Sequence, residues 1–102
     1  MLSAASSAAD SLGTSSSPAA LITFTGGDGT SIEQAVIVNG ARNSIFGIRA
    51  EYEWLRTHYP GYERKSQSLR PKSGKFYDVL TIELPNGQSK SVYFDITAFF
   101  GR

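Results

Sequence analysis

The stretch Phe76–Ile96, FYDVLTIELPNGQSKSVYFDI, decides the fold. Pro85-Asn86-Gly87 separates two runs rich in β-branched and aromatic residues, Phe76–Leu84 and Ser89–Ile96. Pro85 presets the first corner of a type I turn, and Gly87 suits the left-handed residue after it, which together predict a three-residue hairpin loop. The loop sets the register: Leu84 opposite Gln88, Leu80 opposite Val92, Asp78 opposite Phe94 and Tyr77 opposite Asp95. Side chains alternate along a strand. One face therefore collects Phe76, Leu80, Ile82, Leu84, Val92, Phe94 and Ile96, and the other Tyr77, Val79, Thr81, Glu83, Tyr93 and Asp95. A slip of one residue would mix the two sets, which a half-buried sheet resists.

The aliphatic face of this hairpin needs a cover, and the chain supplies one upstream. Ile45, Ile48, Tyr52, Leu55 and Tyr59 recur at spacings of 3, 4, 3 and 4, the stripe of an amphipathic helix, with Arg49, Glu53 and Arg56 on its other side. Asn43 or Ser44 can cap its start, and Pro60-Gly61 ends it, because proline disfavours helical geometry at Tyr59. The stripe is expected to lie on the hairpin.

Outward from these two elements the signals are shorter. Leu21–Thr25 reads as a first strand, followed by the loop Gly26–Gly29. Thr30-Ser31-Ile32-Glu33 matches a capping box and predicts one helical turn at 31–34. Ala35–Val38 is a short apolar run that fits a buried strand. Residues 62–70 read as a polar edge strand, rich in the cations that discourage edge pairing, and turn through Pro71-Lys72-Ser73-Gly74. Thr97-Ala98-Phe99-Phe100-Gly101 reads as a capped turn that folds two aromatics onto the core. The expectation is an α+β domain over 20–102: an antiparallel sheet of four or five strands with one long helix packed on one face.

Residues 1–19 are Ala/Ser-rich with a single charge, Asp10, and are expected to be a disordered leader. Ser3–Asp10 reads like the small-residue end of an export signal, which favours a periplasmic over a cytoplasmic location. At 102 residues the chain accommodates one domain. The formal net charge of +1 argues against bulk nucleic-acid binding. The absence of cysteine excludes disulfides and thiolate chemistry. No apolar run approaches the ~20 residues of a membrane-spanning helix.

Several stretches together resemble a family of small bacterial α+β domains of unknown function. They are Gly27–Ile37 (GDGTSIEQAVI), Ala50–Leu55 (AEYEWL), His58–Tyr62 (HYPGY), Tyr77–Leu80 (YDVL), and Tyr93–Ile96 (YFDI) with Phe99-Phe100-Gly101. The resemblance covers roughly 26–102. It implies a position behind an export signal and carries over no catalytic residue.

The candidate functional residues fall into two groups. Residues 62–75 hold five cations (Arg64, Lys65, Arg70, Lys72 and Lys75) against one anion, Glu63. That edge could dock an acidic protein or another anionic surface, with nucleic acid not expected as a specific partner. Tyr77, Val79 and Tyr93 would form a semi-apolar patch on the outer sheet face. His58, the only histidine, fits a helix C-terminal cap. Asp78 and Asp95 point to opposite faces of the hairpin and so share no substrate. Asp78, on the core face, is expected to accept hydrogen bonds from backbone or hydroxyl groups. The loop at Asp28 lacks the alternating oxygen ligands of a calcium site. These features predict a non-catalytic binding or interaction module that needs no cofactor or metal and leave its oligomeric state open. The alternatives are a small enzyme with a site joining His58 and Asp95, or weak anion or nucleic-acid binding by the basic edge 62–75.

Overall fold

The computed structural model describes residues 22–102. The expected leader, 1–19, lies outside the described residues. The elements are β1 (Thr23–Gly26), β2 (Val36–Asn39), α1 (Ser44–His58), β3 (Glu63–Lys72), β4 (Lys75–Glu83) and β5 (Ser89–Asp95). They form an α+β fold with a five-stranded sheet in the order β1-β2-β5-β4-β3.

The hairpin β4–β5 has the register read from its loop, with Leu80 opposite Val92, Asp78 opposite Phe94 and Tyr77 opposite Asp95. Leu84 and Gln88 are joined by a 2.8 Å backbone bond, and Gly87 takes the left-handed conformation at φ 86°. On the next hairpin the strands run further than expected, to Lys72 and from Lys75. Only Ser73 and Gly74 turn, both at positive φ as a two-residue loop of this hand requires.

The sheet is mostly antiparallel but not wholly so. β2 pairs parallel with β5, Val36 beside Phe94 and Ile37 beside Asp95. That geometry needs a crossover, which α1, β3 and β4 provide. Ahead of β2 the predicted capping box does not form. Asp28 instead accepts from the amide and hydroxyl of Thr30, and Ser31 Oγ accepts from the Gln34 amide. The Gly29 carbonyl accepts from the Tyr93 amide at 2.8 Å, so this loop continues the sheet past the start of β2.

Asn43 is the N-cap of α1, its Oδ1 accepting from the Phe46 amide at 3.1 Å. The buried face of α1 differs from the predicted stripe. It consists of Gly47, Ala50, Glu51, Trp54 and Leu55, while Ile48 is exposed and Ile45 is 64% exposed. Tyr52 and Tyr59 pack only partly against the core. The reason is volume. The Phe99 ring lies so close to Gly47 that a Cβ there would overlap it, and Trp54 meets the edge of Phe94 with ring centroids 5.5 Å apart. Phe99 of the closing turn takes the small Gly47 opposite it and Trp54 fills the space over Phe94, because interiors are close-packed. The core joins Trp54 and Leu55 to Val36, Val38, Leu80, Ile82, Val92 and Phe94.

The chain closes on Asp95, whose Oδ1 accepts from the amide and hydroxyl of Thr97. The turn that follows buries Phe99 and stacks the half-exposed Phe100 on Phe76 at 4.3 Å. The Arg102 carbonyl accepts from the Ser44 amide and hydroxyl, each at 3.0 Å, which ties this turn to the start of α1.

Candidate functional site

β4 carries Asp78 on the same face as Leu80 and Ile82, towards α1, with Leu69 of β3 and Phe94 of β5 on either side. Glu51 descends onto it from the buried face of α1. Glu51 is 1% exposed and Asp78 6%. Burial, the neighbouring negative charge of Asp78 and a hydrogen bond to it push the Glu51 carboxyl up to about 10. At neutral pH Glu51 therefore keeps its proton and donates it to Asp78, and the pair carries one negative charge. Glu51 Oε2 is the only fully buried side-chain oxygen among the described residues without a hydrogen-bond partner.

Beside this pair opens a cavity of about 360 Å³, within the range of small-ligand pockets. α1 contributes Ile48, β3 contributes Gln67 and Leu69, the closing turn contributes Phe99 and Phe100, and Asp78 is its ionisable group. Ile48, Phe100 and Leu69 (44% exposed) bring apolar surface to solvent at this cavity, and Ile45 extends it along α1. The site is thus a largely apolar pocket with Asp78 in its lining and Glu51 bonded to Asp78 from the helix.

A larger cleft of about 420 Å³ lies at the other end of α1, where His58 and Asp28 meet Trp54, Tyr59 and Phe24. His58 stacks on the Trp54 ring at 3.9 Å. Its Nδ1 is 3.0 Å from the Trp54 carbonyl, and since a carbonyl only accepts, Nδ1 holds the hydrogen and caps the last turn of the helix. Asp28 is held below its ordinary value by the bonds from Thr30. Both ionisable groups of this cleft are thus held by local bonds.

The residues predicted from the sequence are dispersed. Lys65 lies between Glu63 (3.3 Å) and Glu83 (3.1 Å), and Lys72 pairs with Glu33 at 3.7 Å. Arg64 donates to the Tyr52 hydroxyl and to Gln67. Arg70 and Lys75 make no ion pair among the described residues. The register also divides the segment: Arg64 stands opposite Ile82 on the helix side, Arg70 opposite Tyr77 on the outer side. Tyr77 is 8% exposed and lines a separate cleft of about 280 Å³ with Asp95, Glu33 and Lys72, while Tyr93 is half-buried. The expected semi-apolar patch is therefore largely covered, because Tyr77 and Val79 are both buried.

His58 and Asp95 lie on opposite faces of the sheet, in different clefts, so the enzyme site that would join them does not form. Asp78 does not find the backbone or hydroxyl donors expected for it; its partner is the second carboxyl. Glu51 is the residue that sequence reasoning missed. Its signal was the alternative helical line Gly47, Glu51, Trp54, His58, also spaced 4, 3 and 4. No protein-family model, curated protein or solved structure matches this chain. The functional reading accordingly rests on the geometry of the site.

Proposed function

We propose that this chain is a non-catalytic binding module, and that its ligand site is the pocket between α1, β3 and the closing turn, which receives an apolar group. One observation carries the reading. Exposed apolar side chains from three separate segments, Ile48, Leu69 and Phe100, converge on one cavity of about 360 Å³. Scattered exposed apolar residues need no explanation, but a convergent set around a cavity marks an interaction site.

The carboxyl pair argues against catalysis. Two acids with separated protonation suit acid–base chemistry only when both reach the substrate. Glu51 is sealed from solvent, and the one hydroxyl in the pocket lining, Ser44, donates to the Arg102 carbonyl and not to Asp78.

A capped tripeptide with norleucine between two leucines tests the reading, titrated into ¹⁵N-labelled protein. Saturable amide shifts should centre on Ile48, Leu69, Phe99 and Phe100, with dissociation constants in the millimolar range or below, about −4 kcal/mol or better. The Leu69→Gln variant should lose them while keeping its fold. Shifts spread over the whole surface, or none at the pocket, would refute it.

A further inference from the structure

We propose that the group received by this pocket is a lysine side chain of a partner protein, its four-carbon stem against Ile48, Leu69 and Phe100 and its ammonium on Asp78. The inference rests on the binding-module reading and supplies the chemistry of its ligand.

Three observations lead to it. The pocket walls are apolar, yet the group at the inner side is a carboxyl, so a purely apolar ligand would bury Asp78 further without a counter-charge. A ligand that is apolar along its length and positive at its tip satisfies both parts, and long basic side chains have that form. The second acid, Glu51, stands behind Asp78 with Oε2 unpartnered and sealed from water. Glu51 lies outside the pocket lining, so Asp78 alone faces the pocket with the Glu51 carboxyl as its partner, and an ammonium brings it three donors.

Lysine fits better than arginine. A guanidinium binds best to a carboxylate with both oxygens free for a parallel fork, and one side of Asp78 is already taken by Glu51. A compact ammonium makes no such demand. A protein source fits better than a free amine, because the apolar surface continues along α1 to Ile45, beyond the cavity. An anchored side chain surrounded by further apolar contact is the arrangement of protein interfaces.

The test compares three capped tripeptides, Leu-Lys-Leu, Leu-norleucine-Leu and Leu-Glu-Leu, and free hexylammonium, by amide shift titration of the intact chain. Norleucine keeps the stem and lacks the charge. The lysine peptide should bind about tenfold more tightly than norleucine, as a close charge pair would add, and the glutamate peptide should not bind. In Asp78→Asn the lysine advantage should fall to about onefold; the wild-type comparison stands on its own if that variant fails to fold. Equal binding of lysine and norleucine would leave the pocket reading intact and overturn the cation. Absence of pocket shifts with every probe would overturn both. Hexylammonium binding as tightly as the lysine peptide would overturn the protein source in favour of a small amine.

Discussion

Replacing Glu51 by Gln should abolish most of the stability loss that this domain suffers as pH rises. In the folded chain the Glu51 carboxyl is pushed from its ordinary 4.5 up to about 10 by burial, by the Asp78 charge and by the hydrogen bond to Asp78. The unfolded chain releases that proton near 4.5, while the folded chain holds it. The stability tied to the proton is thus fully present below about pH 4.5 and is lost progressively as pH rises towards 10. Each pH unit in this window removes about 1.4 kcal/mol. From pH 5 to 7.5 the loss approaches about 3 kcal/mol as an upper bound, a large part of the ~4–12 kcal/mol available to a domain of about 80 residues. Glutamine keeps the shape, can donate to Asp78 and does not titrate.

Urea denaturation of both proteins at pH 5, 6.5 and 7.5 measures the difference directly. The other acids with resolved shifts, Asp28 and Glu33, are lowered and titrate below this window. The histidine is common to both proteins. The wild-type midpoint should fall with pH while the variant stays nearly level. Their separation should widen by roughly 2 M urea between pH 5 and 7.5 at a slope of about 1–1.5 kcal/mol/M. Parallel curves over that range would show that Glu51 is not a proton-holding buried acid and would refute the argument.

Two further substitutions test the helix. Gly47→Ala should destabilise the domain by about 1–3 kcal/mol despite the better helix propensity of alanine, because the new Cβ meets the Phe99 ring; a rise in thermal midpoint would refute the close approach. Asn43→Ala should cost about 1 kcal/mol by removing the acceptor for the Phe46 amide, read as a lower urea midpoint with an unchanged slope.

The hairpin was legible because its information is local. Pro85-Asn86-Gly87 specifies a loop, and the alternation on either side specifies a register with no knowledge of the remaining chain. Asn43 was legible for the same reason. The parallel pairing of β2 with β5 was not, because Val36 and Phe94 are distant in sequence and neither carries a mark of strand direction. The helix face was misread for a different reason. Two stripes of helical spacing coexist in α1, and the bulkier one, Ile45-Ile48-Tyr52, looked more like a core. Burial went instead to Gly47, Ala50 and Trp54, because the sheet and the closing turn already supply Phe94 and Phe99. Volume complementarity between distant segments decides such a choice. The same misreading hid the site. Turning the helix to its actual face brings Glu51 onto Asp78 and leaves Ile48 beside the pocket.

The arrangement links the stability of the domain to its occupancy. Glu51 is a costly core residue, since burial and the neighbouring acid make it hold a proton that the unfolded chain releases. An apolar replacement of similar volume would remove that cost, and would also leave Asp78 without its hydrogen-bond partner. A ligand whose tip donates hydrogen bonds to Asp78 stabilises the domain by the amount that mass action requires. The neutral apolar probe and the lysine probe should then differ in how far they raise the melting temperature at equal saturation. Only the second offers donors to Asp78, the acid that lines the pocket.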